Sequence, residues 1–203
     1  MSDAVVYVVD DHQDMRNSFK WLIESVGIPV EAFASAEEFL AAYRDGLPAC
    51  LLLDVRMPGM GGMRLLERLR DSGSKLPVIV ITGHAEVRMA VQAMKSGAYD
   101  FLEKPAAHQL VLERIQDALA ADRQRRARMA ERAAFREALG QLTQREAEVL
   151  DRIVSGEPSK AIALEFGISE RTVEKHRENI MRKMGARSLA QLVRGMVESE
   201  QDN

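Results

Sequence analysis

The chain of 203 residues is 46% hydrophobic, 29% charged and 5% aromatic, a composition that is typical of globular proteins and excludes the disordered and fibrous classes. It has no apolar run of about 18 residues and begins without the basic flank of a signal peptide, so we expect a cytoplasmic protein with no membrane partner. The net charge of −3 is unevenly divided. Residues 1–122 hold 12 Lys and Arg against 18 Asp and Glu, whereas residues 123–203 hold 16 Lys and Arg against 13 Asp and Glu. This division indicates an acidic half suited to cations and a basic half suited to polyanions.

Short apolar runs alternate with helical patterns through the first half of the chain. Each run is bounded and rich in β-branched residues, which is typical of strands buried on both faces. The alternation predicts an α/β domain in which a doubly wound, five-stranded parallel sheet carries helices on both faces. The one cysteine of the chain, Cys50, lies in the third run and is expected to be a buried, inert thiol. The predicted strands are 5–9, 30–33, 50–53, 78–81 and 99–102.

A long segment between the halves is predicted to form one continuous helix. Residues 110–138 contain no Gly or Pro and are crowded with Ala, Arg, Glu and Leu, so they could build a rod of ~43 Å. The favoured interpretation is a solvated helical spacer, since the Leu or Ile heptads of a coiled coil are absent. The alternative is a dimer seam along the small-residue stripe of Ala127, Ala130, Ala134 and Ala138.

Helical patterns separated by cap residues fill the rest of the chain. A capping box, Thr143–Glu146, begins the first helix, and Gly167 separates the second from the third. Segments 160–166 and 170–184 have the proportions of a helix-turn-helix, which predicts a small all-α domain of four helices. The other three helices are predicted to start at Ser159, Ser169 and Ser188. The predicted organisation is 1–122 for the α/β domain, 123–139 for the helical linker and 140–203 for the helical domain.

Polar side chains follow the carboxyl ends of the predicted strands. Asp10 and Asp11 follow the first strand, Asp54 ends the third, Thr82 ends the fourth and Lys104 follows the fifth. In a doubly wound sheet these positions share one edge. Three carboxylates there would repel one another unless a divalent cation binds, and oxygen ligands suit Mg²⁺. A hydroxyl and an ammonium beside that cation suit a phosphoryl group, which predicts phosphoryl transfer onto Asp54 as the nucleophile.

Each of these residues has a structural interpretation when it is taken singly. Asp10 could cap a helix, Thr82 could be a strand-end hydroxyl and Lys104 could be a surface lysine, so the conjunction of all of them favours the chemistry. Other phosphate chemistries lack their motifs, because the sequence has neither a P-loop nor a dinucleotide-binding glycine pattern. A haloacid-dehalogenase-like phosphatase would need a second Asp two residues after Asp54, where this chain has Arg56.

Four short motifs follow one another through the first half of the chain in a specific order and spacing. They are Asp10-Asp11, Asp54-Val55-Arg56-Met57-Pro58-Gly59, Thr82-Gly83-His84 and Phe101-Leu102-Glu103-Lys104-Pro105. In these segments residues 1–122 resemble the receiver domain of bacterial response regulators. The resemblance implies a flavodoxin-like fold with the strand order 2-1-3-4-5.

The same resemblance implies a role for each residue at the sheet edge. Asp54 would accept a phosphoryl group from a phosphohistidine of a sensor histidine kinase. Thr82 and Lys104 would contact the bound phosphoryl group, and Phe101 would turn inward when Thr82 moves. The implied Mg²⁺ ligands are Asp10 through water, Asp11, Asp54 and the backbone carbonyl of Arg56.

A second match lies in the other half of the chain, in segments 160–163, 169–176 and 179–184. Here the chain resembles the LuxR-type helix-turn-helix DNA-binding domain. The two resemblances together indicate a two-component response regulator of the FixJ/NarL family. They imply a transcription regulator that is not an enzyme, with a cognate sensor histidine kinase and double-stranded promoter DNA as partners and RNA polymerase as a further candidate.

Helical periodicity divides the third helix of the second domain into two faces. Val173, Ile180 and Met184 should face the core. The opposite face can read base edges in a major groove, and the flanking side chains can contact phosphates. The alternatives are a solvated charged face and, for His176, a structural histidine. The side chains predicted to face bases are Arg171, Lys175, Glu178 and Arg182 with Asn179 beside them, and those predicted to face phosphates are Thr172, His176, Asn179 and Lys183.

Phosphorylation of Asp54 is expected to reposition Thr82 and Phe101 and to expose a dimer surface around 87–95 and the strand and helix that follow. A homodimer would then pair two DNA-binding domains on one promoter. Two alternatives stay open: a free-standing Mg²⁺-dependent phosphohydrolase, and an interaction protein that phosphorylation gates without any DNA contact. The missing second Asp counts against the first, and salt-sensitive DNA binding would exclude the second.

Overall fold

Strands and helices alternate through the first part of the chain, as the sequence pattern predicts. A computed structural model describes residues 4–83 and 86–200, and the chain divides into two units, Met1–Arg126 and Ala127–Asn203. The elements of the first unit are β1 (Val5–Val9), α1 (Gln13–Glu24), β2 (Val30–Phe33), α2 (Ala36–Ala42), β3 (Ala49–Asp54), α3 (Gly62–Asp71), β4 (Val78–Thr82), α4 (Val87–Lys95), β5 (Asp100–Glu103) and the first part of α5 (His108–Gly140).

The strands form one parallel sheet in the order β2-β1-β3-β4-β5, which confirms the predicted doubly wound fold. Asp54 at the end of β3 is in register with Ile81, and Thr82 at the end of β4 is in register with Glu103. The central strands therefore end together. Residues that directly follow these strands meet at one edge of the sheet.

Hydrophobic cores cover both faces of this sheet. Side chains alternate along β3, so Leu51 and Leu53 enter one core whereas Cys50 and Leu52 enter the other. Burial on both faces explains why β1, β3 and β4 are continuous apolar runs in the sequence. Cys50 is fully buried, and burial raises the pKa of its thiol to about 12, which confirms the expected inert cysteine.

Capped helices make up the second unit beyond α5. The Thr143 hydroxyl accepts a hydrogen bond from the Glu146 N–H and the Glu146 carboxylate accepts one from the Thr143 N–H, which confirms the predicted capping box. Gly167 ends the second helix with a φ of 64°, a left-handed conformation that favours glycine. Ser169 caps the third helix through the Thr172 N–H. These helices are α6 (Gln144–Val154), α7 (Ser159–Phe166), α8 (Glu170–Lys183) and α9 (Leu189–Glu200).

One small core holds the second unit together. Val173 and Ile180 of α8 and Met184, which directly follows the helix, are buried in it, which confirms the face that periodicity predicts. Arg145 ties α6 to α7, because its guanidinium lies 4.0 Å from the centre of the Phe166 ring and donates to the Phe166 carbonyl at 3.1 Å. That cation–π contact and hydrogen bond hold the end of α7 against α6.

The predicted linker helix is one continuous helix, α5, of 33 residues. Phe135, Ala138 and Leu139 pack against the core of the second unit, so this part of α5 is not the solvated spacer that the sequence favours. A Cβ at Gly195 of α9 would lie 2.2 Å from a carbon of the Phe135 ring, so the two helices are in close contact. Within the described chain no helix, α5 included, is both long and apolar enough to cross a membrane.

Candidate functional site

One ammonium group joins two carboxylates at the carboxyl edge of the sheet. Lys104 Nζ lies 2.6 Å from Asp10 Oδ2 and 2.6 Å from Asp54 Oδ1. Both aspartates are buried. Burial disfavours the charged ammonium, but the hydrogen bonds to Asp10 and Asp54 outweigh it and raise the pKa of Lys104. The structure thus brings together three of the residues that the sequence predicts for this site.

The Asp54 carboxylate is held from both sides. Its Oδ1 accepts from Lys104, and its Oδ2 accepts from the Arg56 N–H at 2.7 Å. The start of α3 is tied to the same loop, because the Gly62 N–H donates to the Val55 carbonyl at 2.9 Å. Two charge-assisted hydrogen bonds therefore orient the Asp54 carboxylate at the end of a buried strand.

Three residues that could hold a cation include Asp10, which shares the Lys104 ammonium with Asp54. Asp10, Asp11 and His12 each offer one ligand atom, and these three atoms lie within 4.8 Å of one another. Asp11 Oδ1 is buried and accepts no hydrogen bond in the described structure, although His12 Nδ1 lies 2.9 Å away. A buried carboxylate oxygen without a hydrogen bond is costly unless a cation or a proton meets it, so these residues fit a divalent cation.

Sequence reasoning missed two residues at this edge. His12 stands next to Asp10-Asp11, and that adjacency is a signal that could have included it. Arg16 reaches back from α1 and donates to the Asp10 carbonyl at 2.7 Å; the sequence alone carries no signal for this contact. The Mg²⁺ ligand set predicted from the sequence, which has Asp54 and the Arg56 carbonyl in place of His12, stays a prediction.

The predicted switch residues lie on neighbouring strands. Thr82 is buried at the end of β4, and its carbonyl accepts a hydrogen bond from the Lys104 N–H at 2.8 Å. Phe101 on β5 is half-buried and packs against the core that β3 and β4 share with α4. His84, the last residue of the Thr82-Gly83-His84 motif, lies outside the described residues. Movement of Thr82 and Phe101 stays a prediction.

Helix α4 and the loop after it carry exposed apolar side chains. Val87 is 82% exposed, Met94 49%, Val91 47% and Tyr99 39%. These residues belong to the segment that the sequence analysis predicts as a dimer surface. Large apolar side chains that cluster on a surface are typical of interaction sites.

The charged face of α8 is accessible. The side chains predicted to face bases are all exposed: Arg171, Lys175, Glu178 and Arg182. Asn179 is half-buried beside them, and its Oδ1 accepts from Arg182 at 3.1 Å. An exposed helix face with these donors and acceptors has the chemistry to read base edges in a major groove.

The residues predicted to contact phosphates differ from one another. Thr172 is exposed next to the Ser169 cap, and His176 is half-buried, so both of its interpretations stay open. Lys183 is engaged within the unit, because its Nζ lies 2.6 Å from Glu146 Oε2. The sequence carries no signal for this ion pair, since its partners lie on different helices.

Comparison with known proteins identifies the family of the chain. The family model described as the response regulator receiver domain matches residues 6–116, and that described as bacterial regulatory proteins, luxR family, matches residues 140–196. The transcriptional regulatory protein FixJ of Rhizobium meliloti (strain 1021) is 43% identical over 194 residues, covering 96% of this chain and 95% of FixJ. The transcriptional regulatory protein TdiR of Thauera aromatica is 40% identical over 190 residues, covering 94% of this chain and 84% of TdiR. The solved structure of the response regulator StyR matches with a TM-score of 0.85 and 40% identity, covering 97% of this chain and 100% of StyR. The chain therefore belongs to the two-component response regulators and joins a receiver domain to a LuxR-type DNA-binding domain.

Proposed function

We propose that a sensor histidine kinase phosphorylates the protein on Asp54, and that the phosphorylated form dimerises and binds promoter DNA. The observation that carries this proposal is the Lys104 ammonium held 2.6 Å from both Asp10 and Asp54. The ammonium lies next to the buried Asp54 carboxylate, which supports a nucleophilic role for Asp54 because a transferred phosphoryl group needs countercharge.

The reaction follows from the Asp54 carboxylate. One of its oxygens attacks the phosphorus of a phosphohistidine, a P–O bond forms, and the P–N bond breaks as the imidazole nitrogen leaves with the electron pair. Before the transfer, the Lys104 ammonium binds the negative charge of the Asp54 carboxylate. After the transfer, it would bind an oxygen of the phosphoryl group instead. The product is an acyl phosphate on Asp54.

The residues proposed to hold Mg²⁺ are Asp10 through water, Asp11, Asp54 and the carbonyl of Arg56, with His12 as a neighbour. When bound, Mg²⁺ would offset the negative charge of the carboxylates and of the phosphoryl oxygens. Asp11 Oδ1, buried and without a hydrogen bond in the described structure, supports this assignment. His12 helps to orient the Asp10 carboxylate, because the backbone N–H of His12 donates to Asp10 Oδ1 at 2.9 Å.

The proposed response begins at Thr82 and Phe101. Thr82 is joined to the Lys104 backbone, so a phosphoryl group that binds Lys104 and the Thr82 hydroxyl would pull on β4 and β5 together. Phe101 packs against the same core as Met89 of α4. Its movement would reshape the exposed apolar face of α4, which we propose as the dimer surface.

Dimerisation would make DNA binding effective. The net charge of residues 123–203 is modest, and a single recognition helix makes few phosphate contacts, so one copy is expected to bind DNA weakly. Two linked copies add their half-sites within one complex. We infer that the protein acts in the bacterial cytoplasm, where promoter DNA lies, with RNA polymerase as a candidate further partner.

Phosphorylation is tested by mass spectrometry of the intact full-length protein after incubation with a small acyl-phosphate donor and Mg²⁺. Wild-type protein should gain one phosphoryl group, and Asp54→Asn should gain none. Asp71→Asn, which changes an exposed carboxylate on α3, is the matched control and should be phosphorylated as the wild type is. A phosphoryl group that Asp54→Asn still accepts would overturn the assignment of the nucleophile.

A further inference from the structure

A single ammonium group joins three helices of the second unit. Lys183 is the last residue of α8, and its Nζ lies 2.6 Å from Glu146 Oε2 in the first turn of α6. The same Nζ donates to the carbonyl of Gln141 at 3.1 Å, directly after the end of α5. The ends of α5 and α8 and the start of α6 therefore share one cation.

The partner of Lys183 is fixed in place. Glu146 Oε2 accepts hydrogen bonds from the Thr143 N–H at 2.8 Å and from the Thr143 hydroxyl at 3.0 Å. The hydrogen bond from Lys183, followed by that from the Thr143 backbone, lowers the pKa of Glu146 to about 2. Glu146 is 5% exposed, so an ionised, nearly buried carboxylate anchors the ammonium to the α6 cap.

Helix α8, which is proposed to read base edges, is anchored at both ends. Near its start, Glu174 of α8 accepts a hydrogen bond from the Ser159 hydroxyl at the start of α7. At its other end, Lys183 ties it to α6 and to the end of α5. Reading of base edges needs side chains held within about 0.5 Å of their productive position, so the preference for one sequence depends on the orientation of this helix.

We propose that Lys183 is a positioning residue that orients α8 for base recognition and does not contact DNA phosphates. This replaces the phosphate contact expected from the sequence, and it rests on the proposed DNA binding by α8. The exposed Arg182 next to it keeps its predicted role in base contact, and its guanidinium donates to Asn179 Oδ1 at 3.1 Å. Loss of the ion pair lets the end of α8 shift, so base contacts weaken while the general attraction for DNA stays.

The test is a double-mutant cycle with full-length protein treated with the acyl-phosphate donor. The variants are Lys183→Met, Glu146→Gln and the double variant, with Arg182→Met as the matched control. Binding is measured over a series of salt concentrations to two probes: a duplex selected from genomic DNA by the wild-type protein, and a random duplex of equal length.

Positioning predicts that Lys183→Met and Glu146→Gln each weaken binding to the selected duplex by about tenfold and barely change binding to the random duplex. The double variant should be no weaker than the weaker single variant, because both changes remove the same contact. The slope of log affinity against log salt should stay as in the wild type for both single variants. Arg182→Met removes a side chain that is predicted to contact bases, so it should weaken binding to the selected duplex and shows how large the loss of a direct base contact is.

A phosphate role predicts the reverse pattern. Lys183→Met would then reduce the salt slope by about 0.9 on both probes, while Glu146→Gln would leave binding unchanged, and this result would overturn the proposal. If Lys183→Met fails to fold, Glu146→Gln alone gives the answer, since positioning predicts weaker binding to the selected duplex only and a phosphate role predicts no change. Wild-type protein that shows no salt-sensitive DNA binding would instead refute the proposed function itself.

Discussion

A Cβ atom on residue 62 would lie 2.0 Å from the carbonyl oxygen of Asp54, so Gly62 allows α3 to begin directly against the end of β3. No side chain fits in that space without a shift of the β3 backbone. The position of Asp54, the proposed nucleophile, and the start of α3 are therefore coupled.

Gly62→Ala is expected to displace the Asp54 backbone, to cost about 1–3 kcal/mol of stability and to slow phosphorylation. Gly61→Ala is the matched control, because a Cβ there would meet the Val55 carbonyl at 3.4 Å, an ordinary contact. Urea denaturation and the rate of phosphoryl transfer from the acyl-phosphate donor measure both effects. Equal behaviour of the two variants would show that the close approach has no effect on the site.

Lys104→Gln is expected to bind Mg²⁺ more tightly and to accept a phosphoryl group more slowly than the wild type. Its ammonium offsets the charge of Asp10 and Asp54, so its loss leaves two carboxylates without that countercharge and strengthens their attraction for a cation. Calorimetric titration with Mg²⁺ and the rate of phosphorylation give the two readouts. The exposed Lys75→Gln should change neither; weaker Mg²⁺ binding by Lys104→Gln would contradict the arrangement.

The stability of the second unit is expected to fall in acid because of Glu146. Its pKa is lowered from 4.5 to about 2 by the hydrogen bonds from Lys183 and Thr143, so its stabilisation is complete above the unfolded value and is lost as the pH falls toward 2. The free energy of unfolding of wild type minus that of Glu146→Gln should therefore shrink between about pH 5 and pH 2. Denaturant titrations followed by helical circular dichroism measure this difference, and a difference that is constant with pH would refute the ion pair.

Val91→Glu is expected to keep the phosphorylated protein monomeric, because a charge would be buried in the proposed dimer surface on α4. Val26→Glu provides the control, since Val26 is 45% exposed and Val91 47% exposed, but Val26 lies just after α1. Sedimentation velocity of both phosphorylated variants compares their assembly. If the phosphorylated Val91→Glu protein forms the same dimer as Val26→Glu, the surface lies elsewhere.

Asp122 is a structural anchor of the first unit. Burial opposes its charge, but hydrogen bonds from Arg126 and Arg125 lower its pKa, and its Oδ2 also accepts from the Ala49 N–H at 3.1 Å at the start of β3. Asp122→Ala should lower the free energy of unfolding by about 2 kcal/mol, since it leaves a buried N–H without a partner. The exposed Asp117→Ala should cost far less, and equal costs in urea titrations would contradict the anchoring role.

The sequence predicts the sheet well because its central strands are buried on both faces and leave continuous apolar runs. The ends of strands are less predictable, since pairing and not local composition sets them. Residues 99–102 are the predicted last strand, whereas β5 is Asp100–Glu103. The backbone N–H of Tyr99 donates a hydrogen bond to the Val78 carbonyl, but Tyr99 precedes the residues of β5 that pair with β4.

The sheet edge could be predicted as the site, but not the contacts within it. Residue order places Asp10, Asp54 and Lys104 together through the parallel topology, whereas the hydrogen bonds of Lys104 to both carboxylates depend on side-chain geometry. Packing between distant positions is equally hidden from local patterns. The contact of Phe135 with Gly195 is the example: composition favours a solvated spacer there.

The most direct test of the central claim is DNA binding by full-length wild type and Asp54→Asn, each with and without the acyl-phosphate donor and Mg²⁺. The account predicts that the donor strengthens salt-sensitive binding of the wild type to the selected duplex and promotes its dimerisation, and that Asp54→Asn shows neither effect. Equal binding by both proteins with the donor, or no DNA binding by the phosphorylated wild type, would contradict it.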